Sequence, residues 1–416
     1  MTTLSLAALL LSSAFPALAA DASKVSIAFW QRGYVEGGTE PATVTTQQAV
    51  RLFEDANPDV KVGIVGVPYD PAGDARVEKA LLARDGVDIV RLTGADLPKF
   101  ARRGVFADIS PWLTAADRAD FLPGALDAAT YKGKTVAWPL WVTAITVLAN
   151  TDLLAKRGVA APSFDSPWSF SGFAKACRKL SFAGHGGPVY GLAGGAAVPA
   201  LFYIDGGRVV SKDGTKFTAN DDAGVSAVSR LAELHKNGCL APDFMTATEA
   251  EARARFKAGT AAMLLSPPGW IRTLAAEKFP FAVLPLPIGK LGKPVTTGGF
   301  GLYAAVDTGD KARVDAAQRL ARWLTGSEVG AKLPGYQLAP GLRASNKNLE
   351  ADALFVPVAK AVRYGVYEPP TDVPDVVKLS LVEAMRRAVL GEAKPKAALD
   401  GVAAPYQAAL DESLKP

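Results

Sequence analysis

A chain of 416 residues with 49% apolar content is too long for one ordinary core, so two domains are the starting expectation. Its net charge of +5 comes from basic residues scattered along the chain, not from basic runs with interleaved aromatics, and this argues against nucleic acid as a partner. The two histidines, His185 and His235, do not cluster with carboxylates or with the two cysteines, Cys177 and Cys239, so neither a metal site nor a cofactor is expected.

Residues 1–20 are small and apolar, with LAALLLSSAF followed by Ala17-Leu18-Ala19. A short apolar run before an A-x-A site reads as a secretory signal peptide, too short to span a bilayer as a helix. It departs from the usual pattern in having no Lys or Arg ahead of the apolar run. No cysteine follows the cleavage site, so no lipid anchor is expected there, and the mature chain reads as soluble and periplasmic from Ala20 or Asp21. That compartment permits a disulfide. The positions of Cys177 and Cys239 leave both a bridge and a pair of buried thiols open.

Strands then alternate with helices. Apolar alternation over 24–30 and 60–67, and the apolar run 87–92, predict three strands. Helices are predicted over 46–57, stopping at Asn57-Pro58, and over 77–84 and 96–103. This order implies an α/β fold with an open, mostly parallel sheet. Ligands of such sheets bind beyond the carboxyl ends of the strands, where Trp30-Gln31-Arg32 and Thr93-Gly94-Ala95-Asp96 lie.

The stretch 137–150, AWPLWVTAITVLAN, is extended and apolar and reads as a strand crossing between two lobes. Helical spacing marks 170–180 and 223–236. In 256–270, FKAGTAAMLLSPPGW, a helix end and a glycine turn lead to a short strand and a Pro-Pro-Gly break that presents Trp270. The segment 296–306, opened by Thr297-Gly298-Gly299, is predicted as a returning strand and a second crossing. Two well-separated crossings make each lobe discontinuous: 21–137 with 298–340, and 138–297 with 341–416.

The stretch FKAGTAAMLLSPPGW resembles the corresponding part of bacterial extracellular solute-binding proteins, the sugar-binding, maltose-binding-protein-like group that serves ABC importers. FEDANPDVKV, VDIVRLTGADLPKFARRGVFADISPWL, TDLLAKRGVAAP with SPWSFSGFAKACRKL, AQRLARWLTGSEVGAKL and VEAMRRAVLGEAKPKAALDGVAAPYQAAL follow that family's order and spacing over nearly the whole mature chain. There are departures. Ala149 and Leu154 stand where the family often has Tyr and Phe, and Phe170 and Gly172 stand where Trp and Glu are common. Ser169 can still cap the helix it precedes, without the reciprocal capping-box bond. Gly195, Ala196 and Ala197 stand near the place where maltose binders carry aromatics, which favours a small ligand over a long stacked oligosaccharide. The resemblance implies a two-lobed periplasmic binding protein fold of type II, its discontinuous lobes joined by crossing hinge strands. It implies capture of a carbohydrate or polyol in the interlobe cleft by hinge closure and delivery to a membrane permease. A monomer without catalytic residues is the corresponding expectation.

The candidate cleft residues are Trp30, Arg32, Asp96, Trp138, Trp141, Trp270, Gly298, Gly299, Arg343 and Tyr364. An indole suits stacking on a sugar ring. Arg32 and Arg343 have the geometry for a bidentate contact to hydroxyls or an anion. Asp96, near a helix N-terminus, serves equally as a routine stabilising charge. Of Trp138 and Trp141, flanking Pro139, at least one is expected to face the cleft and the other to pack in the core. Gly298 and Gly299 can bring backbone amides near a ligand. Tyr34 and Glu36 are weaker candidates, and Tyr364 and Tyr367, before Glu368-Pro369-Pro370, lie on a loop able to close over the cleft. Two other readings remain: an anionic ligand such as glycerol phosphate, and a secreted carbohydrate-active enzyme, for which no GxSxG or HExxH motif appears.

Overall fold

The computed structural model describes residues 24–415 except 69, 123, 185–186, 195–197, 199, 334–351 and 370. Two five-stranded sheets form the framework. In the first, Val60–Val67 and Ile89–Thr93 flank Val25–Arg32 in parallel, and Phe300–Ala305 lies antiparallel between Ile89–Thr93 and Trp138–Val142. The second has the order Phe281–Leu284, Thr146–Asn150, Ala261–Ser266, Gly187–Ala193, Phe182–Gly184. The first sheet is therefore mixed: a strand arriving from the far lobe is inserted antiparallel into the predicted parallel core.

Each sheet has its own core. Ile27, Phe29, Phe53, Ile89, Trp138 and Tyr303 belong to the first, and Phe173, Cys177, Leu192, Phe202, Leu231 and Leu265 to the second. The predicted strand over 60–67 and helix over 170–180 have the observed bounds. Other ends differ. The first helix begins at Pro41 instead of 46, with the proline at its opening position, where the missing amide costs no helical bond. Ser169 Oγ accepts from the amide of Gly172 at 3.1 Å, so the hydroxyl caps its helix as expected.

The expected single crossing strand over 137–150 is two strands. Trp138–Val142 pairs in the first sheet and Thr146–Asn150 in the second, and Thr143–Ile145 links them. A run that is apolar apart from Thr143, Thr146 and Asn150 has no period to mark a change of sheet. Cys177 and Cys239 form a disulfide, with Cα atoms 5.5 Å apart. It ties the helix Phe170–Leu180 to the segment whose Cys239 carbonyl accepts from the amide of Leu192 at 3.0 Å.

Candidate functional site

Among the described residues, three segments of chain bonded side by side cross between the lobes. The amide of Thr143 donates to the Gly299 carbonyl at 2.9 Å, that of Ile145 to Thr297 at 2.8 Å, and the hydroxyl of Thr296 to the Ile145 carbonyl at 2.6 Å. The third crossing runs from Val362, packed in the first core, to Val366, packed on the second. Its register is set by Thr296 N donating to Tyr364 O at 3.1 Å and Val366 N to Thr296 O at 2.7 Å. At Gly298 any Cβ would overlap the Thr143 carbonyl, so the close pairing of two crossings requires glycine there. The amide of Gly299 donates to Thr143 Oγ1 at 2.8 Å.

Beside these crossings lies a cavity of about 420 Å³. The first lobe supplies Thr93, Gly94, Ala95, Ala128, Trp141 and Phe300, and the second lobe supplies Tyr203 and Lys378. The crossings themselves add Thr297, Gly298, Gly299 and the run Tyr367-Glu368-Pro369. Four aromatic rings thus meet at one cleft. Phe300 and Tyr367 pack with centroids 4.4 Å apart and planes at 53°. The Trp141 indole lies over Gly301, where a Cβ would overlap its Nε1, and the Arg91 guanidinium sits 5.9 Å from its ring centre. Among the described residues, Trp141 Nε1 and the Tyr367 hydroxyl have no hydrogen-bond partner. Burial raises the Tyr367 phenol well above its ordinary pKa.

The polar wall is held in place from outside the cavity. Glu368 accepts from the amides of Val209 at 2.9 Å and Val210 at 3.3 Å, and from the Tyr203 hydroxyl. Burial raises the Glu368 pKa against these bonds, and burial also raises Tyr203, with the Glu368 charge adding to it. A carboxyl whose folded pKa lies above its ordinary 4.5 binds a proton more readily folded than unfolded. Its contribution to stability is therefore present on the acid side and falls as pH rises through that window. Glu368→Gln is expected to flatten this slope, measured by urea unfolding at a series of pH values. Lys378 is the cation of the wall, with a long ion pair to Asp375 at 3.4 Å. Arg102 and Asp372, 3.0 Å apart, join the first lobe to the segment after the third crossing.

Of the predicted site residues, Trp141, Gly298 and Gly299 line the cavity. Trp30 does not: it is 2% exposed in the first core, its Nε1 donating to Gly86 O at 2.7 Å. Trp138 is fully buried and bonded to Gln318 at 2.7 Å. Both sit on strands whose inward face is core, and neither indole reaches the cleft. Arg32 is held at 2.6 Å by Asp74. Asp96 accepts from Thr93 N at 3.2 Å and Thr93 Oγ1 at 2.7 Å, so it shapes the Thr93–Ala95 turn without lining the cavity. Trp270 is half-buried against Phe256, with ring centres 6.1 Å apart and Arg253 over its face, and is not part of the cavity wall. Tyr364 contributes its carbonyl to the third crossing, and its ring is 37% exposed. Arg343 lies outside the described residues. Sequence reasoning missed Tyr203, Phe300, Glu368 and Lys378. Phe300 was within reach, since it directly follows the glycine pair, whereas Tyr203 and Lys378 sit on helices with no signal separating cleft from surface.

Among the described residues, no group of three or more His, Cys, Asp or Glu is placed to hold a metal ion. No helix among them is long and apolar enough to cross a membrane.

The family model for bacterial extracellular solute-binding proteins matches residues 48–356. A curated relative, an uncharacterized lipoprotein from the oleD 5′ region of Streptomyces antibioticus, is 27% identical over 195 residues, 45% of this chain and 42% of the relative. A putative binding protein of Brucella abortus is 22% identical over 278 residues, 63% of this chain and 62% of the relative. The match thus spans less than two thirds of the length of these curated relatives. Among solved structures, the cyclic α-maltosyl-1,6-maltose binding protein of Arthrobacter globiformis superposes with a TM-score of 0.79 at 18% identity, covering 94% of this chain and 100% of that one.

Proposed function

The chain belongs to the bacterial extracellular solute-binding proteins, and from that membership we propose that it is the capture component of an ABC importer. Its ligand is a carbohydrate or related polyol, taken into the cleft between the lobes outside the cytoplasmic membrane and handed to a permease. The protein acts as a monomer and performs no chemistry on the ligand. The observation that carries this reading is the interlobe cavity of about 420 Å³ with four aromatic rings at the hinge. That size suits a small ligand, and flat apolar faces with few placed polar groups suit a sugar ring. A ligand touching both lobes binds the closed form better and shifts the population toward it.

The test is a thermal-shift screen of neutral sugars, polyols and sugar phosphates. A ligand at about 100 times its dissociation constant adds about 2.7 kcal/mol to the folded state, a visible shift. Trp141→Ala is expected to weaken binding of any hit by about 1–3 kcal/mol, roughly five- to 150-fold, measured by titration calorimetry. Trp270→Ala should leave it unchanged. Equal affinity in Trp141→Ala and wild type would remove the cleft from the reading.

An anionic ligand such as glycerol phosphate is the second reading, favoured by Lys378 in the wall. Arg32, bound to Asp74, gives it no support. Hits confined to sugar phosphates, lost in Lys378→Met, would select it over the neutral ligand.

A further inference from the structure

The cleft is not the largest cavity among those described. One of about 470 Å³ opens on the helical side of the first lobe and shares no wall residue with the cleft. The helix Pro41–Ala56 and its cap supply Phe53 and Asn57, and the helix Lys311–Leu324 supplies Arg319, Arg322 and Trp323. Trp112, Asp117 and the turn Gly326–Glu328 complete the wall.

Two features distinguish it from an ordinary surface groove. Both indoles have their N–H groups bonded within the protein: Trp112 Nε1 to Asp315 at 3.0 Å and Trp323 Nε1 to the Ala49 carbonyl at 3.1 Å. What remains for the cavity is ring surface fixed in orientation, with the Lys332 ammonium 5.3 Å from the Trp323 ring centre. The ionic groups are also ordered in advance. Asp117, with a 7% exposed side chain, accepts from Thr114 Oγ1 at 2.7 Å and from Arg322 Nε at 3.0 Å, while Arg319 is held by Asn57 at 2.8 Å and Asp59 at 2.7 Å. Arg319 is paired with Asp59 and Asp315, Arg322 with Asp117, and Glu328 with Lys332, so each charge in the wall already has an opposite partner and none is left over to attract an ion. Fixed aromatic faces beside paired donors and acceptors match a neutral, hydroxyl-rich ring, which stacks on its apolar side and exchanges hydrogen bonds along its edge.

We propose that this cavity is a second carbohydrate-binding site, independent of the cleft. Its ligand is a neutral sugar ring, either free or at the end of a glycan chain.

The experiment uses the full mature chain with its seven tryptophans replaced by 5-fluorotryptophan and followed by fluorine NMR. Trp112→Phe, Trp323→Phe and Trp141→Phe assign the resonances. The probes are maltose and cellobiose in solution, and amylose and cellulose as solids that retain the protein. The expected result is a saturable shift of the Trp112 and Trp323 resonances with a disaccharide, or retention on a polymer. Either should weaken about tenfold or more when the cavity is filled by Ser327→Phe or by Glu328→Tyr, while the Trp141 resonance behaves as in wild type. A response to disaccharide identifies free sugar as the source, and retention without one identifies a chain end. The proposal is overturned if neither resonance moves and neither polymer retains the protein, or if the response is unaltered in both filled variants. The Trp141 resonance tests the cleft separately, so failure of one site is read apart from failure of the other.

Discussion

Replacing both Cys177 and Cys239 by alanine is expected to destabilise the protein by about 4 kcal/mol. The bridge closes a loop of 62 residues, and the chain-entropy estimate for a loop of that length gives this figure before any change in native packing. Both positions are fully buried, and alanine leaves no unpaired polar group there. The segment at Cys239 is bonded to the Leu192 amide of Gly187–Ala193, and a Cβ at Gly191 of that strand would overlap the Cys177 carbonyl of the helix Phe170–Leu180, so little slack exists locally. Urea unfolding of the double variant, and of wild type with and without reductant, measures the effect. A loss below about 1 kcal/mol would mean that packing alone holds this edge of the second lobe.

Gly298→Val should be the most damaging single change at the cleft. The added side chain drives into the Thr143 carbonyl, and relief requires parting the first two crossings, where Thr143 N–Gly299 O and Gly299 N–Thr143 Oγ1 are bonded. Overpacking of this kind costs about 1–3 kcal/mol of stability. Binding should fall further than stability, because the displaced residues are themselves cleft wall and pivot. Gly299→Ala is the matched control: its Cβ meets nothing nearer than Thr143 Oγ1 at 3.9 Å. Equal binding by Gly298→Val and wild type would show that closure does not depend on this crossing.

The alternation of strands and helices made the first lobe legible because half-buried strands and amphipathic helices carry their burial in their periods. The same signal failed over 137–150, where every residue is apolar or small for reasons that change midway. Trp138 packs in the first core and Val147 in the second, and no pattern marks Thr143 as the place where the chain leaves one for the other. Aromatic content pointed to the right residue type but not to the right copies. Trp30 and Trp138 face inward while Trp141, three residues after Trp138 on the same strand, reaches the cleft. The irregularity between Gly301 and Leu302 opposite this strand breaks the simple alternation that would have separated them. Lys378 and Tyr203 were illegible because a cleft formed by two distant segments leaves no mark on either one alone.

The place of Phe300–Ala305, between Ile89–Thr93 and Trp138–Val142, also sets a timetable for synthesis. Until residue 305 has been made, the strand ending at Val142 has no partner in its sheet, and Leu92 and Trp138 have no strand between them. At ordinary translation rates the wait is on the order of ten to thirty seconds, long compared with most folding steps. The first lobe, although it comes first in the sequence, cannot close until that strand is made, the second waits longer still for the helices Asp375–Val389 and Pro395–Ser413, and the nascent chain stays open and threadable for most of its length. A ribosome-stalled chain ending at residue 295 should accordingly be digested by protease in both halves, whereas one long enough for residue 362 to be clear of the ribosome should protect the first.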